Sequence, residues 1–282
     1  MENSKSSKFF KIDISIFIIT CLYLLVPIVI LLSFWFKWYI SLPAVLAILF
    51  ATFCLIKRYK SKTEEQYKNI FNLKKLAIVF LIIVIINVMS GAGGIFFQNW
   101  DYSGRNAILH DLINNEWPVK YDYSNLEYET ASIGSNEGVL SYYFAYFLPG
   151  AVVGKLFGFN IASIFMLLWQ ILGTTLFFYF VFRKFNKEKI RYLLVFFMFG
   201  GIDVITKVIS NAITGNTVSP IGLEHIDTAN NYFCMSTFIT QLFWVFNQSI
   251  PAWLVTILFV NEQKYENLGV YAALLVPYSP FP

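Results

Sequence analysis

Several ionisable side chains lie in one short stretch that directly follows a long apolar run. The stretch is FQNWDYSGRNAILHDLINNEWPVKY, Phe97–Tyr121, and it contains Asp101, Arg105, His110, Asp111 and Glu116. A carboxylate such as that of Asp101 can take a proton from a hydroxyl group as a general base. An arginine beside it can neutralise an anion or orient the carboxylate. Because most of the surrounding sequence is apolar, we expect any chemistry to depend on this stretch.

Helical spacing predicts how these side chains are arranged. If residues 100–115 are helical, Arg105 falls one turn after Asp101 on the same face. The apolar side then consists of Ala107, Ile108, Leu109, Leu112 and Ile113, and the polar side of His110, Asp111 and Asn114. This pattern is typical of a helix that lies in the membrane interface rather than spanning it. It fits equally well a solvated connector in which Asp101 is merely paired with Arg105.

The composition indicates that the remaining chain is dissolved in a bilayer. It is 57% hydrophobic and 13% charged, whereas soluble domains carry roughly 25% charged residues. Several apolar runs approach the ~20 residues that a helix needs to cross the membrane. The three cysteines, Cys21, Cys54 and Cys234, do not suggest a disulfide framework. We therefore predict an all-α fold, a polytopic transmembrane helical bundle.

Charge placement predicts the orientation of the first spans. Spans 14–36 and 39–56 form a hairpin, and the loop 57–75 that follows is rich in lysine and arginine. Short basic loops stay in the cytoplasm, so the N-terminus is expected to be cytoplasmic too. A third span, 76–94, then runs outward, which makes the acidic segment 98–139 extracytoplasmic.

The run Ser141–Gly158 is ambiguous between a span and an interfacial or re-entrant helix. If it crossed the membrane, the basic cluster Arg183–Arg191 would face outward, against the positive-inside rule. We therefore expect it to lie on the outer side, followed by an inward span at Asn160–Phe182. Further spans are predicted at Tyr192–Ile209 and Ser249–Val260 and from Leu268 onward, with a short apolar segment at Phe238–Phe246 that dips into the membrane.

These spans divide the chain into two parts. Residues 1–75 form the N-terminal hairpin with its basic loop, and residues 76–282 form a core with outer loops 98–158 and 210–248. The chain ends in LLVPYSPFP, inside or just after an apolar segment. We therefore expect it to be the N-terminal part of a longer protein.

Two further groups of ionisable residues are candidates for a site. Asp203 lies at the end of an otherwise apolar span, where an ionisable residue is a functional candidate by default. The alternative is that Asp203 forms an ion pair with Lys207, one helical turn later. Glu224 and His225 lie with Asp227 in LEHID, which offers oxygen and nitrogen ligands for a metal or a sugar. The same short motif fits a solvated loop.

Asn247 and Gln248 lie between aromatic residues in WVFNQSIPAWL. Amides beside indole rings suit sugar hydroxyls and ring faces, and they are also ordinary anchors at a membrane interface. The sequence contains no P-loop, dinucleotide fingerprint, serine-nucleophile elbow or paired CxxC motif. Its basic runs border predicted cytoplasmic membrane ends, so no nucleic-acid partner is expected.

The predicted order of a span, an acidic outer loop that begins with Asp, an interfacial helix and more spans resembles the GT-C superfamily of integral membrane glycosyltransferases. Residues 97–121 with LSYYFAYFLPGAVVGKLFG, and later GGIDVI, LEHID and LFWVFNQSIPAWL, are similar to a group of bacterial GT-C-like membrane proteins. The resemblance covers roughly Gly91 to Trp253. This sequence departs from the common GT-C pattern in two ways. Asp101 is followed by Tyr102 and Ser103 and so is not part of a DxD or ExD pair, and an additional hairpin, 14–56, precedes the span that leads into the loop.

The resemblance implies an enzyme of the bacterial cell membrane that transfers a sugar from a polyprenyl-phosphate donor to a glycan or glycolipid acceptor on the outer face. Asp101 matches the position of the catalytic base, and Arg105 would neutralise phosphate or orient Asp101. The residues expected to contact substrate are His110, Asp111, Asp203, Glu224, His225, Asn247 and Gln248. The resemblance leaves open whether a divalent metal ion is bound, because the second acid of the DxD or ExD pair is missing. It implies no other cofactor. A transporter or flippase and a non-catalytic envelope-assembly protein are the alternatives.

Overall fold

A computed structural model describes residues 2–61, 73–124, 136–185, 190–199, 209, 212–215, 237–262 and 264–279. Within these residues the chain is mainly helical. The longer helices are α1 (Glu2–Trp35), α2 (Trp38–Lys60), α3 (Leu73–Met89), α4 (Asp101–Asn114), α5 (Leu148–Phe157), α6 (Phe159–Phe185), α7 (Ile190–Met198), α8 (Phe238–Trp244), α9 (Phe246–Asn261) and α10 (Leu268–Ala273). The all-α prediction is confirmed for this part of the chain, apart from one short β-ribbon. In it β1 (Lys120–Asp122) pairs antiparallel with β2 (Glu137–Val139).

Three helices are long and apolar enough to cross a membrane: Lys11–Trp35, Trp38–Lys60 and Phe159–Phe185. They coincide with the predicted spans 14–36, 39–56 and 160–182. The other predicted spans lie partly outside the described residues or in shorter helices, such as α3 with 17 residues. The protein thus has the helices of a membrane protein, and the full number of spans remains a prediction.

The ambiguous run Ser141–Gly158 folds as a 3₁₀ turn, Ala145–Phe147, followed by α5. Helix α5 has 10 residues, about 15 Å of helix, which is half of what a span requires. Gly158 then adopts a φ of 86° and separates α5 from α6. Gly154 allows a close approach, because a Cβ there would overlap the Ile113 side chain of α4. These features support the interpretation of the run as a non-spanning segment packed on α4.

One end of the bundle is held by a buried carboxylate, Asp13 of α1, which is only 1% exposed. It accepts hydrogen bonds from the hydroxyl of Tyr59 on α2 at 2.7 Å and from that of Tyr179 on α6 at 2.8 Å. It also forms an ion pair with Arg183. The start of the apolar span Lys11–Trp35 of α1 and the last turns of α2 and α6 therefore lie at the same end, which we call the basic end. Sequence analysis did not single out Asp13, because its partners are remote along the chain.

The opposite end of α1 contacts the segments around α4 and α5. The ring of Trp35 lies 5.3 Å from that of Trp117 and 4.8 Å from that of Phe144. Nearer the middle, the Tyr23 hydroxyl donates to the Tyr146 hydroxyl at 3.0 Å. Because these contacts and the Asp13 cluster are at opposite ends of α1, we call this second end the outer end, in line with the predicted orientation.

Helix α8 is a short helix inside the bundle. The ring of its first residue, Phe238, stacks on that of Phe196 at 3.9 Å and lies 5.5 Å from that of Trp253. Phe238 therefore packs among aromatic residues of α7 and α9. Its last residue, Trp244, contacts Trp100 at the outer end. Helix α9 then returns toward the basic end, where the Val260 carbonyl accepts a hydrogen bond from Lys184. This geometry fits the prediction that the segment dips into the membrane.

We expect Asp13→Ala to destabilise the protein by roughly 3 kcal/mol, because removing one member of a buried ion pair leaves the other uncompensated. Arg183 is 24% exposed, so part of its charge can still be hydrated. Chemical unfolding in detergent, followed by tryptophan fluorescence, measures the change. Asp122→Ala, which changes an exposed carboxylate in β1, is the control and should change stability little.

Single cysteines in a background without native cysteines test the orientation. A cysteine at Asp122 should react with a membrane-impermeant maleimide in intact cells, because this exposed position lies near the outer end. A cysteine at Lys264, exposed at the basic end, should react only after the membrane is permeabilised. The reverse labelling pattern would contradict the predicted orientation.

Candidate functional site

The site begins where α3 ends in a tight turn. Gly91 and Gly93 adopt φ values of 88° and 81°, a left-handed conformation that glycine adopts without strain. A Cβ on Gly91 would also overlap the Phe97 carbonyl oxygen. The Gln98 amide donates to the Gly91 carbonyl at 2.9 Å and accepts from Asn106 of α4 at 3.0 Å. The turn is thereby attached to α4, whose first residue is Asp101.

Asp101 and Arg105 form the ion pair that helical spacing predicted. Arg105 Nη2 lies 3.1 Å from Asp101 Oδ2, and the side chains are 4% and 30% exposed, respectively. An acid in the first turn also complements the positive end of the helix dipole. The carboxylate is thus held on one side by arginine and open to solvent on the other.

The surroundings of Arg105 decide between the two roles that the sequence left open. Its guanidinium carbon lies 5.2 Å from the ring centroid of Tyr102 and 5.0 Å from that of Phe246. Its Nη1 donates to the Phe243 carbonyl at 3.3 Å. A buried group with these contacts has no exposed face for a phosphate. In this structure Arg105 orients Asp101 instead.

The Phe243 carbonyl joins the start of α4 to the end of α8. It accepts hydrogen bonds from Arg105 and from the Asn99 amide, the latter at 3.0 Å. Carbonyls in the last turn of a helix have no partner within the helix, so these side chains satisfy one of them. Asn99 Oδ1 and Arg105 Nε are buried without a hydrogen-bond partner among the described residues. Such groups cost about 1–3 kcal/mol each, which makes this junction less stable than a fully paired one.

Exposed aromatic and apolar side chains surround Asp101. Trp100, next to it, is 75% exposed, and Ile95, Phe96 and Phe97 before it are exposed as well. The Trp100 ring contacts that of Trp244 at 5.9 Å. Aromatic side chains at the end of an apolar bundle are typical of the membrane–water interface. Asp101 is therefore expected at the level of the lipid headgroups.

Polar side chains continue from this site into the bundle between α3 and α6. Gln170 donates to the Ser90 hydroxyl at 2.9 Å, and the Thr174 hydroxyl lies 3.3 Å from Asn87 Oδ1. All four are buried. Burial raises the pKa of Tyr102, which lies beside Ser90, to about 12, although the Arg105 charge acts in the opposite direction. Sequence analysis missed this network because isolated polar residues in apolar runs show no pattern.

His110 and Asp111 are not brought together with Asp101. Each residue of a helix turns by ~100°, which puts His110 on the opposite face of α4 from Asp101. His110 is 63% exposed, and its Nδ1 lies 3.8 Å from Asp111 Oδ1. The Tyr121 hydroxyl donates to Asp111 Oδ2 at 2.6 Å, and burial and this carboxylate raise the pKa of Tyr121. These residues form a separate cluster near the β-ribbon.

Asn247 and Gln248 bond within the protein. Asn247 is completely buried and donates to the Tyr143 carbonyl at 3.1 Å. Gln248 accepts a hydrogen bond from the Ser279 hydroxyl at 3.0 Å. Asn247 Oδ1 is buried without a hydrogen-bond partner among the described residues, and the role of both residues in sugar binding stays a prediction. Phe246, which lies just before them, is the residue of α9 that contacts Arg105.

Lys155 of α5 holds the end of α4, a role that sequence analysis did not foresee. Its ammonium group donates to the carbonyls of Ile113 at 3.2 Å and Asn115 at 2.7 Å and lies 5.0 Å from the ring centroid of Trp117. A cation at a helix C-terminus is stabilised by the helix dipole. Burial lowers the pKa of Lys155, while Glu116 acts in the opposite direction.

The remaining predicted residues, Asp203, Glu224 and His225, lie outside the described residues. Within the described part no group of three His, Cys, Asp or Glu side chains is placed to hold a metal ion. No protein-family model matches the sequence, and no curated protein or solved structure shows significant similarity to it. The candidate site is therefore defined by its geometry alone.

We expect Asp101 and Arg105 to be coupled in stability. Asp101→Ala should cost about 1–3 kcal/mol because it leaves a buried guanidinium without its carboxylate. In an Arg105→Met background the same change should cost almost nothing, since no charge remains to be compensated. A double-mutant cycle from chemical unfolding measures the coupling energy. Additive effects of the two substitutions would show that the pair does not stabilise the site.

Proposed function

We propose that the protein is a membrane glycosyltransferase that transfers a sugar from a polyprenyl-phosphate donor to a cell-envelope acceptor on the extracytoplasmic face. The observation that carries the proposal is the partly exposed Asp101 carboxylate, oriented by a buried arginine at the outer end of an apolar bundle. A lipid-linked donor has its phosphate at headgroup level, which is where the exposed aromatic residues around Asp101 are expected to lie.

In the proposed reaction the acceptor hydroxyl attacks the anomeric carbon of the sugar. The new C–O bond forms as the bond between that carbon and the phosphate oxygen breaks, and Asp101 takes the hydroxyl proton. The products are the glycosylated acceptor with inverted configuration and the free polyprenyl phosphate. Arg105 keeps Asp101 Oδ2 in place, so the exposed part of the carboxylate faces the acceptor.

The departing phosphate also needs positive charge near it. Arg105 is buried and engaged, so another group would have to supply this charge. Among the described residues, no group of three His, Cys, Asp or Glu side chains is placed to hold a metal ion. Asp203, Glu224 and His225 keep their proposed role in substrate contacts.

The distribution of charge favours an enzyme over a transporter. A transporter is expected to bind its substrate near mid-membrane with charges on broken helices. In the described parts of α2, α3 and α6 the ionisable Asp, Glu, Lys and Arg residues lie near the helix ends, and in α1 Lys11 and Asp13 lie at the start of the apolar span Lys11–Trp35. The polar groups in between, such as Asn87 and Gln170, are uncharged.

Asp101→Asn tests the proposal, because the amide oxygen can still accept a hydrogen bond from Arg105 while the base is lost. The variant would be expressed in cells that lack the native gene, and the cell-envelope glycans would be compared with those of wild type. We expect a loss of ~100-fold or more in the glycan product, since general-base catalysis contributes about 10²–10⁴-fold.

Asp122→Asn is the matched control, because it changes an exposed carboxylate in β1. It should leave the glycans unchanged. If Asp101→Asn inserts normally and its glycans equal those of wild type, the catalytic role of Asp101 is wrong. Loss of the glycan in both variants would indicate an assembly role of the outer region instead.

A further inference from the structure

The basic end carries many exposed cationic side chains on separate helices. Six of them lie at or just beyond the ends of apolar helices. They are Lys57, Arg58 and Lys60 in the last turns of α2, Lys184 in the last turn of α6, Arg191 in the first turn of α7 and Lys264 after α9. Contacts between the helices bring them together. Arg58 donates to Asn267 at 3.0 Å, and Lys184 donates to the Val260 carbonyl at 2.7 Å. These cations therefore form one surface rather than isolated charges.

The described acidic residues at this end leave the surface positive. Asp13 is buried with Arg183. Glu262 accepts hydrogen bonds from Asn267 and Tyr271 at 3.0 Å and 3.1 Å. Glu266 lies 3.6 Å from Arg58. Each of these carboxylates is thus engaged within the protein, and the exposed cations outnumber them.

One exposed tyrosine and one partly buried tyrosine accompany the cations. Tyr265, next to Lys264, is 88% exposed. The Arg191 guanidinium lies 5.5 Å from the ring centroid of Tyr192. Tyrosine is enriched where a membrane protein meets the headgroup layer, because its ring is apolar and its hydroxyl is hydrated. This combination matches the chemistry of a lipid headgroup, with an anionic phosphate above an apolar region.

We propose that the basic end binds the headgroups of anionic phospholipids. Lys60 and Lys184 lie within one turn of the ends of helices that can span a membrane, which is the level at which headgroup phosphates are expected. Anionic leaflets attract such juxtamembrane cations. A nucleic acid fits less well, because it would have to approach cations that lie against the bilayer surface. The inference is independent of the proposed transferase activity.

The full chain in neutral detergent is titrated with dioleoylphosphatidylglycerol, and bound lipids are counted by native mass spectrometry. Dioleoylphosphatidylcholine is the zwitterionic comparison. Arg191→Gln/Lys264→Gln should lower the affinity for phosphatidylglycerol by roughly tenfold or more, because each cation near an anionic headgroup contributes to binding. Lys37→Gln/Lys120→Gln removes exposed cations elsewhere and should change the affinity little.

The following results would each overturn the inference. They are equal binding of the two lipids by the wild-type protein, equal loss of binding in both double variants, and tighter binding of an oligonucleotide than of phosphatidylglycerol. Displacement of the lipid by millimolar inorganic phosphate would also overturn it, since it would indicate a site for free phosphate.

If the glutamine variant does not fold, Arg191→Lys/Lys264→Arg keeps the charge and should bind as wild type does. Binding by wild type that does not weaken at high salt would contradict an electrostatic surface.

Discussion

The buried guanidinium of Arg105 joins segments that are far apart in the sequence, and the outer part of the structure depends on it. It pairs with Asp101, bonds to the last turn of α8 through the Phe243 carbonyl and lies between the rings of Tyr102 and Phe246. Burying an arginine is costly unless its charge is compensated and its donors are bonded. This requirement fixes the start of α4 against the junction of α8 and α9, and it leaves Asp101 partly exposed in a defined orientation.

The same constraint explains the other polar clusters. Inside an apolar bundle a polar group has no water to bond with, so its partners must come from neighbouring helices. Asp13 meets Tyr59, Tyr179 and Arg183 at the basic end, and Gln170 bonds to Ser90 between α3 and α6. Each cluster connects helices at a defined position along their axes. Together they hold the N-terminal hairpin and α6 in the arrangement on which the outer site is built.

The two ends of the bundle differ in chemistry. At the outer end the Asp101 carboxylate is oriented by Arg105 and lies near exposed aromatic residues, as the proposed transfer requires. The basic end presents exposed cations and tyrosines, which suit the binding of anionic headgroups. Within the described residues, the apolar spans that connect the two ends are uncharged in their middle parts. The two proposals therefore concern opposite ends of the bundle.

The sequence by itself determined the helical class, the three long apolar helices and the Asp101–Arg105 pair, because these depend on local composition and helical spacing. Charge placement also indicated that Ser141–Gly158 does not span. Only the tertiary structure decided that Arg105 is buried, that His110 lies on the opposite face from Asp101, and that Asn247 bonds internally. It also revealed Asp13, Asn99, Gln170 and Lys155, which no pattern distinguished. The reason is physical: the role of a polar side chain depends on the partners that packing brings to it, and those partners come from remote parts of the chain.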